Sequence, residues 1–217
     1  WTEGNNMFEI ENFYKNGFFI IDNFLGEDES NTLLQTFKDI DQWDRVDQIR
    51  SHYQKGGPFE MTSPYFPKND EEYYLKGWRA KDFESNEAWQ QYFKEKFLSE
   101  ISEIFLKKID RDTTYILKYS ENDFSRIHVD DTRGDVDRVD VSILYYLCDE
   151  WVWDWGGILM LAQSTEAEDM LAIMPKNNRL ILINNQMKLP HCVTPIADYA
   201  KNDRFAIASF LGCDKPF

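Results

Sequence analysis

Hydrophobic residues in the first half of the chain recur at the spacing of amphipathic helices. Residues 8–25 predict a short helix that runs into a buried strand. Acidic residues at 27–29 open the next helix, where they complement the positive end of the helix dipole. The apolar face of that helix consists of Leu33, Leu34, Phe37 and Ile40. A longer helix is predicted over 84–108, and we expect both helices to pack against a sheet.

The periodicity changes near residue 113, where short β-type runs alternate with clusters of Asn, Asp and Gly. The predicted strands cover residues 113–119, 124–129, 138–147, 157–162, 170–174, 179–184, 189–194 and 203–211. About eight strands after two or three helices predict a mostly β protein of the α+β class. Its expected architecture is a double-stranded β-helix, a cupin-like jelly roll, with the N-terminal helices on one face. We expect a single domain over residues 1–217, in which a helical and loop part, 1–112, precedes a jelly-roll core, 113–212.

Residues 41–80 show no sustained period, because Gly and Pro interrupt them repeatedly. Their aromatic residues are Trp43, Tyr53, Phe59, Tyr65, Phe66, Tyr73, Tyr74 and Trp78. A long irregular segment in a compact domain is usually either a functional loop or disordered. We expect this segment to cover the mouth of the functional site, with surface packing as the alternative. His52 lies inside it and is interpreted as an ordinary loop histidine.

Composition and charge limit the classes of function. The chain has 217 residues, of which 42% are hydrophobic and 16% aromatic, enough for one well-filled core. Its net charge is -15, and the sequence pI is near 4.6. Binding a polyanion depends on clustered Lys and Arg, so the acidic balance argues against nucleic acid as a partner.

The three cysteines are Cys148, Cys192 and Cys213. This odd, sparse set cannot form a disulfide framework and predicts a reducing compartment. No apolar run approaches the roughly 20 residues that span a bilayer, and the first residues do not resemble a signal peptide. We therefore expect a cytoplasmic location without a membrane partner. The sequence carries no signal for the oligomeric state.

Two of the three histidines, His128 and His191, lie in predicted strands. Residues i and i+2 of a strand point to the same face, so His128 and Asp130 can direct an imidazole and a carboxylate at one point. His191 lies 63 residues after His128 and can complete a set of three side chains. Two imidazoles and one carboxylate form the facial triad of non-haem iron(II) oxygenases. The alternatives are two core histidines or a hydrolytic zinc site.

Five short motifs occur in sequence order around these residues. They are HxD at 128–130, YYL at 145–147, WGGxL at 155–159, PHxV at 190–193, and Arg204 followed by Ser209. This order resembles the catalytic half of the iron(II)- and 2-oxoglutarate-dependent dioxygenases. The resemblance covers residues 113–212 and is closest to the prolyl-hydroxylase-like branch, which includes the hypoxia-factor prolyl hydroxylases. It implies Fe(II), 2-oxoglutarate as cosubstrate and O2, with ascorbate as a candidate reductant.

The resemblance also assigns cosubstrate contacts. It implies that Arg204 binds the distal carboxylate of 2-oxoglutarate, for which a planar guanidinium is well suited. It places the hydroxyls of Tyr119 and Tyr146 beside the cosubstrate, although a tyrosine in a strand also serves for packing. Arg179 is the competing candidate for the carboxylate. Relatives often carry a hydroxyl residue two or four places after the arginine, where this chain has alanine, and Ser209 should point to the opposite face.

Two further residues are candidates for binding substrate. Arg126 shares a strand face with His128 and can project toward the substrate, or it can form a salt bridge with a nearby acid. Trp155 can contribute to an aromatic face at the pocket rim together with Trp151 and Trp153, with core packing as the alternative. The pair at 156–157 is interpreted as a close approach of glycine backbone to the core.

The activity implied by the resemblance is oxidative decarboxylation of 2-oxoglutarate to succinate and CO2, coupled to hydroxylation of an unactivated C–H bond. The substrate is a prolyl or other amino-acid residue in a peptide or protein, or a small molecule derived from an amino acid. Asp130 retains the carboxylate ligand, which argues against halogenation. Demethylation and ring formation stay open. A jelly-roll binding module that holds a metal without turnover is the alternative from another functional class.

Overall fold

The computed structural model describes residues 10–11, 13–49, 72–81, 86–105, 107–130, 139–164 and 169–214. The strands within these ranges are β1 (Phe18–Asp22), β2 (Trp43–Ile49), β3 (Tyr73–Ala80), β4 (Ile109–Tyr119), β5 (Phe124–His128), β6 (Val141–Leu147), β7 (Leu159–Ala162), β8 (Met170–Ile173), β9 (Arg179–Asn184), β10 (His191–Val193) and β11 (Arg204–Cys213). The named helices are α1 (Glu27–Lys38), α2 (Glu87–Phe93) and α3 (Ser99–Phe105), with a π-helical turn (Lys94–Leu98) between the last two. Residues 10–11 and 13–16 are also helical, as predicted before β1, and Asn185–Met187 form a 3-10 turn after β9.

The strands form one curled antiparallel sheet. Ten of the described strands follow the order β1-β9-β6-β11-β4-β3-β5-β10-β7-β8, and β2 pairs with β3. Strand β3 pairs with β4 near its end and with β5 near its start, so it connects the two halves of the curled sheet. This architecture confirms the predicted jelly roll.

Alternation along β6 and β11 gives the large sheet two different buried faces. Ile143 and Tyr145 of β6, with Phe205 and Ile207 of β11, face the helices. The helices contribute Leu33, Phe37, Phe93, Phe97 and Ile101 to the same cluster. The opposite face of the sheet lines the interior of the roll, where Tyr146 belongs to a second cluster. The predicted packing of amphipathic helices on one face is therefore present.

The structure corrects the prediction for residues 41–80 at both ends of that stretch. Strands β2 and β3 pair in antiparallel register from Trp43 opposite Ala80. Charged residues within β2 hide the alternation, and the two strands are too far apart in sequence for a hairpin signal. Residues 50–71, which include His52 and most of the expected covering loop, lie outside the described residues.

The structure also bears on the predictions about disulfides and membrane-spanning helices. All three cysteines are free thiols, as expected for a chain without a disulfide framework. Among the described residues, no helix combines the length and apolarity that crossing a bilayer requires.

Candidate active site

Strands β5 and β10 bring the two predicted histidine ligands together. His128 and His191 are direct partners in the antiparallel register, and their ring centroids are 4.4 Å apart. Asp130 follows the end of β5 and places Oδ1 3.7 Å from Nε2 of His128 and Oδ2 3.5 Å from Nε2 of His191. One ligand atom from each residue lies within 4.8 Å of the others, so this cluster could hold a metal ion.

Backbone carbonyls determine which nitrogen of each imidazole is available. Nδ1 of His128 lies 2.7 Å from the carbonyl oxygen of Arg126, and Nδ1 of His191 lies 3.1 Å from that of Leu189. Because a carbonyl oxygen can only accept, Nδ1 carries the proton in each bond. The lone pair of Nε2 then faces Asp130, as a metal ligand requires.

Burial, reinforced by the neighbouring His191, lowers the pKa of His128 to about 4, although Asp130 acts in the opposite direction. At neutral pH the imidazole of His128 is therefore uncharged. A metal ion binds only the neutral form of histidine. The cluster thus needs no proton release from His128 before it can coordinate a cation.

Two residues that the sequence did not predict lie behind Asp130. The hydroxyl of Ser142 donates to Oδ2 of Asp130 over 2.5 Å, and Nδ2 of Asn185 donates to Oγ of Ser142 over 2.8 Å. Both residues are 2% exposed. The only sequence signal for Ser142 is its even spacing from Tyr146, which puts both on the inner face of β6. Asn185 follows β9, and nothing local in the sequence indicates its contact.

Arg204 begins β11 and is buried inside the roll, with 3% of its surface exposed. Its guanidinium carbon lies 4.4 Å from the ring centroid of Tyr146 and 5.1 Å from that of Tyr119. Within the described part of the chain, Nε of Arg204 and the buried hydroxyl of Tyr146 have no hydrogen-bond partner. A buried donor without a partner is costly, so this arrangement fits an anionic ligand that accepts hydrogen bonds from Nε of Arg204 and the hydroxyl of Tyr146.

Glycines allow the close packing around Arg204 and Tyr119. A Cβ on Gly77 would lie 2.8 Å from the ring of Tyr119, and a Cβ on Gly157 would lie 3.3 Å from Cδ of Arg204. Burial raises the pKa of Tyr119 to about 12, so its hydroxyl stays protonated and can donate at neutral pH. Gly157 also has a φ of +62°, which favours glycine.

The metal cluster lies beside one end of the inner face of β6, and Arg204 lies beside the other end. Ser142, next to Asp130, and Tyr146, next to Arg204, are four residues apart on the inner face of β6, a span of roughly 13 Å. On β11 the residues opposite this span are Ala206 and Ala208. Ser209 faces the helices and contacts the Thr114 hydroxyl at 2.7 Å, as its position predicted.

The competing arginine is already paired. Arg179 donates from Nε to Oδ1 of Asp22 over 2.6 Å and from Nη2 to Oδ2 over 3.0 Å. Its Nη1 also donates to the carbonyl oxygen of Met174. The hydrogen bonds from Arg179 to Asp22, together with one from Lys176, lower the pKa of Asp22 to about 2 despite an opposing contribution from burial. Arg179 therefore has a structural role that explains its place at the start of β9.

The two predicted substrate contacts, Arg126 and Trp155, both have partners within the protein. Arg126 forms an ion pair with Glu72 at 3.2 Å, which matches the alternative predicted for it. Trp155 packs on Trp151 with ring centroids 5.5 Å apart. Residues Trp153–Trp155 form a 3-10 turn rather than a strand, and Trp153 is 73% exposed. The three tryptophans therefore do not share the aromatic face that their alternating positions allowed, and Trp153 does not pack in the core, which the sequence also offered.

The inner face beside the metal cluster carries aromatic residues that the sequence did not indicate. Phe210 is the cross-strand partner of Ser142, and its ring centroid lies 6.3 Å from that of Tyr115. The guanidinium of Arg79 stacks 3.9 Å from the ring centroid of Tyr115. Phe210 is six residues after Arg204, and this even spacing is the signal that places it on the inner face.

Part of the chain matches a known protein family. Residues 114–212 match the family model described as the 2OG-Fe(II) oxygenase superfamily. The match confirms the family resemblance predicted from the five motifs. It also confirms the enzyme class, an oxygenase that uses Fe(II), 2-oxoglutarate and O2. The comparison with curated proteins found no match.

Solved structures share the fold. A Pseudomonas putida prolyl-4-hydroxylase is 18% identical with a TM-score of 0.62, covering 95% of this chain and 97% of that one. A Trichoplax adhaerens prolyl hydroxylase, solved with a peptide fragment of the hypoxia inducible factor oxygen degradation domain, is 22% identical with a TM-score of 0.66, covering 95% and 88%. A Burkholderia pseudomallei oxidoreductase of the 2OG-Fe(II) oxygenase family is 11% identical with a TM-score of 0.64, covering 97% and 92%.

Proposed function

Because residues 114–212 form a 2OG-Fe(II) oxygenase region, we propose that this chain hydroxylates an unactivated C–H bond of a prolyl or other amino-acid residue, or of a small molecule derived from an amino acid. Succinate and CO2 are the co-products. The observation that carries the proposal is a His-Asp-His cluster inside the same roll as a buried guanidinium whose Nε has no partner among the described residues.

His128, Asp130 and His191 are the proposed ligands of iron(II). The donor set of two neutral imidazoles and one carboxylate suits this metal and leaves further coordination positions open. Backbone carbonyls hold both rings with Nε2 toward Asp130, so the protein needs little rearrangement to bind a cation. Bound iron(II), with 2-oxoglutarate and O2, supplies the oxidising chemistry.

Arg204 is the proposed binding group for the distal carboxylate of 2-oxoglutarate. Its buried guanidinium can pair with that carboxylate, and the unpaired hydroxyl of Tyr146 can donate to the same group. Tyr119, protonated at neutral pH, packs against the other side of the guanidinium. These three residues bind and orient the cosubstrate, and the surrounding apolar residues exclude water from it.

The substrate class is supported by the lining beside the metal cluster and by the fold comparison. Phe210 and Tyr115 offer apolar surface next to Ser142, which suits a partly apolar side chain such as that of proline. The Trichoplax prolyl hydroxylase was solved with a peptide, and a peptide or protein substrate is proposed here by analogy. We keep Arg126 and Trp155 as proposed substrate contacts. The three free thiols support a reducing compartment such as the cytoplasm.

Aerobic incubation with iron(II), ascorbate and labelled 2-oxoglutarate tests the proposal. A panel of proline-containing peptides and free amino acids is added, and succinate and a mass gain of one oxygen are measured. We expect at least one substrate to give both products in equal amounts. Asp130→Ala is the control that should give neither.

The outcomes separate the candidate functions. Succinate without a hydroxylated product, but with a shortened or cyclised one, would indicate demethylation or ring formation. Metal and 2-oxoglutarate binding without succinate above the Asp130→Ala level, across the whole panel, would favour a binding module that does not turn over.

A further inference from the structure

The hydrogen bonds behind Asp130 have a defined direction. Nδ2 of Asn185 can only donate, so Oγ of Ser142 accepts that bond. The single hydroxyl proton of Ser142 is then directed at Oδ2 of Asp130. Asn185 is itself fixed, because its backbone N–H donates to the carbonyl oxygen of Asp140 over 3.1 Å. These hydrogen bonds form a relay that connects Asn185, in the 3-10 turn after β9, through Ser142 of β6 to the carboxylate of Asp130.

The relay distinguishes two carboxylate oxygens that would otherwise be similar. Oδ1 lies near Nε2 of His128 and Oδ2 near Nε2 of His191, at 3.7 and 3.5 Å. Without a further contact, a cation could take either oxygen or both. The hydrogen bond from the Ser142 hydroxyl uses one lone pair of Oδ2 and makes Oδ2 the weaker metal ligand, while Oδ1 accepts no such bond from Ser142. Ser142 and Asn185 are each 2% exposed, so solvent water does not readily replace either donor.

We propose that Ser142 and Asn185 are positioning residues that reserve Oδ2 of Asp130 and so make the carboxylate bind metal through Oδ1 alone. The proposal rests on the metal role proposed for Asp130. Binding through one oxygen keeps a coordination position free that a two-oxygen mode would fill. The relay also holds the carboxylate in place before metal arrives, which lowers the ordering cost of binding.

Metal affinity of the purified full chain tests this proposal without turnover. Mn(II) binding is measured by isothermal titration calorimetry, and Co(II) binding by its visible absorption spectrum. We expect Ser142→Ala to weaken Mn(II) binding roughly 10- to 100-fold, the usual effect of losing a residue that orients a metal ligand. The Co(II) spectrum should change as well, because the coordination mode of Asp130 changes. Ser142→Thr keeps the hydroxyl and should retain most of the affinity.

A double-mutant cycle separates positioning from general structural damage. If Ser142 acts through Asp130, then Ser142→Ala should have no further effect on Mn(II) affinity in an Asp130→Ala background. Asn185→Ala should change the Co(II) spectrum in the same direction as Ser142→Ala, which keeps the test valid if one variant folds poorly. Ser209→Ala removes an equally buried hydroxyl on the helix side of β11 and should leave metal binding unchanged.

The possible results are distinct. Wild-type affinity and spectrum in both Ser142→Ala and Asn185→Ala would overturn the positioning role while leaving the proposed oxygenase intact. An equal loss of affinity from Ser142→Ala with and without Asp130 would also overturn it. Failure of the wild-type protein to bind Mn(II) or Co(II) would instead contradict the proposed metal centre.

Discussion

Replacing Arg204 by methionine is expected to leave ligand-free stability nearly unchanged while removing stabilisation by 2-oxoglutarate. Exchanging buried ionic groups for apolar side chains of similar volume often stabilises a protein, by about 1–4 kcal/mol. The loss of two desolvated guanidinium–ring contacts, at about 2 kcal/mol each, offsets this gain. The opposing contributions are of similar size, so the expected net change is within about 1 kcal/mol, which corresponds to a Tm change of at most about 2–4 °C in a domain of this size.

The same substitution should abolish stabilisation by the cosubstrate. At a hundred times its Kd, a ligand stabilises the folded state by about 2.7 kcal/mol. For the wild-type protein this corresponds to a Tm increase of about 5–11 °C. Without the guanidinium, the distal carboxylate of 2-oxoglutarate loses the cationic partner proposed for it. We therefore expect no measurable shift for Arg204→Met at the same ligand concentration.

Differential scanning fluorimetry with Mn(II), with and without 2-oxoglutarate, measures both effects. Arg179→Met is the matched control, because it removes an arginine that pairs with Asp22 within the protein. The control should melt at a lower temperature and keep the ligand shift. A lower ligand-free Tm for Arg204→Met together with a retained shift would refute the assignment. Loss of the shift in Arg179→Met alone would move the cosubstrate role to that residue.

Three other substitutions test separate parts of the structure. Tyr146→Phe should weaken 2-oxoglutarate binding about 10-fold or more in calorimetry, since a hydrogen bond to a charged group contributes about 1.5–3 kcal/mol. The ligand-free stability of this variant should not fall, because the hydroxyl has no partner among the described residues. Gly157→Ala should destabilise by about 1–2 kcal/mol in urea unfolding, because its φ is +62°, and an unchanged midpoint would contradict this. The pKa of Asp22 is lowered from 3.8 to about 2, so the stability that it contributes is complete above pH 4 and is lost as pH falls toward 2. Asp22→Asn should therefore lower the urea midpoint at pH 6, and its midpoint should fall less steeply than that of the wild type between pH 4.5 and 3. If the midpoints of variant and wild type fell in parallel over this range, the role of the Asp22–Arg179 pair would be contradicted.

The sequence predicted those parts of the molecule that depend on local periodicity. Alternation along a strand places His128 and Asp130 on one side, and it also places Ser209 on the side opposite Arg204. The structure places His128 at the end of β5 with Asp130 just beyond it, and it places Ser209 on the face of β11 opposite Arg204. The helices were predicted from their apolar faces because packing on a sheet requires that pattern. The π-helical turn at Lys94–Leu98 has no such periodic signal.

Contacts between distant segments could not be predicted in the same way. The Ser142–Asp130 hydrogen bond joins the start of β6 to the end of β5, and Asn185 reaches it across 43 residues of sequence. Strand β2 contains four charged or polar residues at Asp44, Arg45, Asp47 and Gln48, so its burial pattern is weak and only its pairing with β3 identifies it. Such contacts depend on the tertiary fold rather than on spacing.

Strand β6 sets the backbone spacing between the two ends of the site. Its inner face carries Ser142 at one end and Tyr146 at the other, so the length between the carboxylate cluster and the guanidinium is fixed by backbone geometry. A side-chain exchange leaves the spacing of these two backbone positions unchanged. Deleting one residue between these two would turn Tyr146 toward the helices while Ser142 kept its place. Evolution of this site toward a longer or shorter diacid would therefore require a change of register in the sheet.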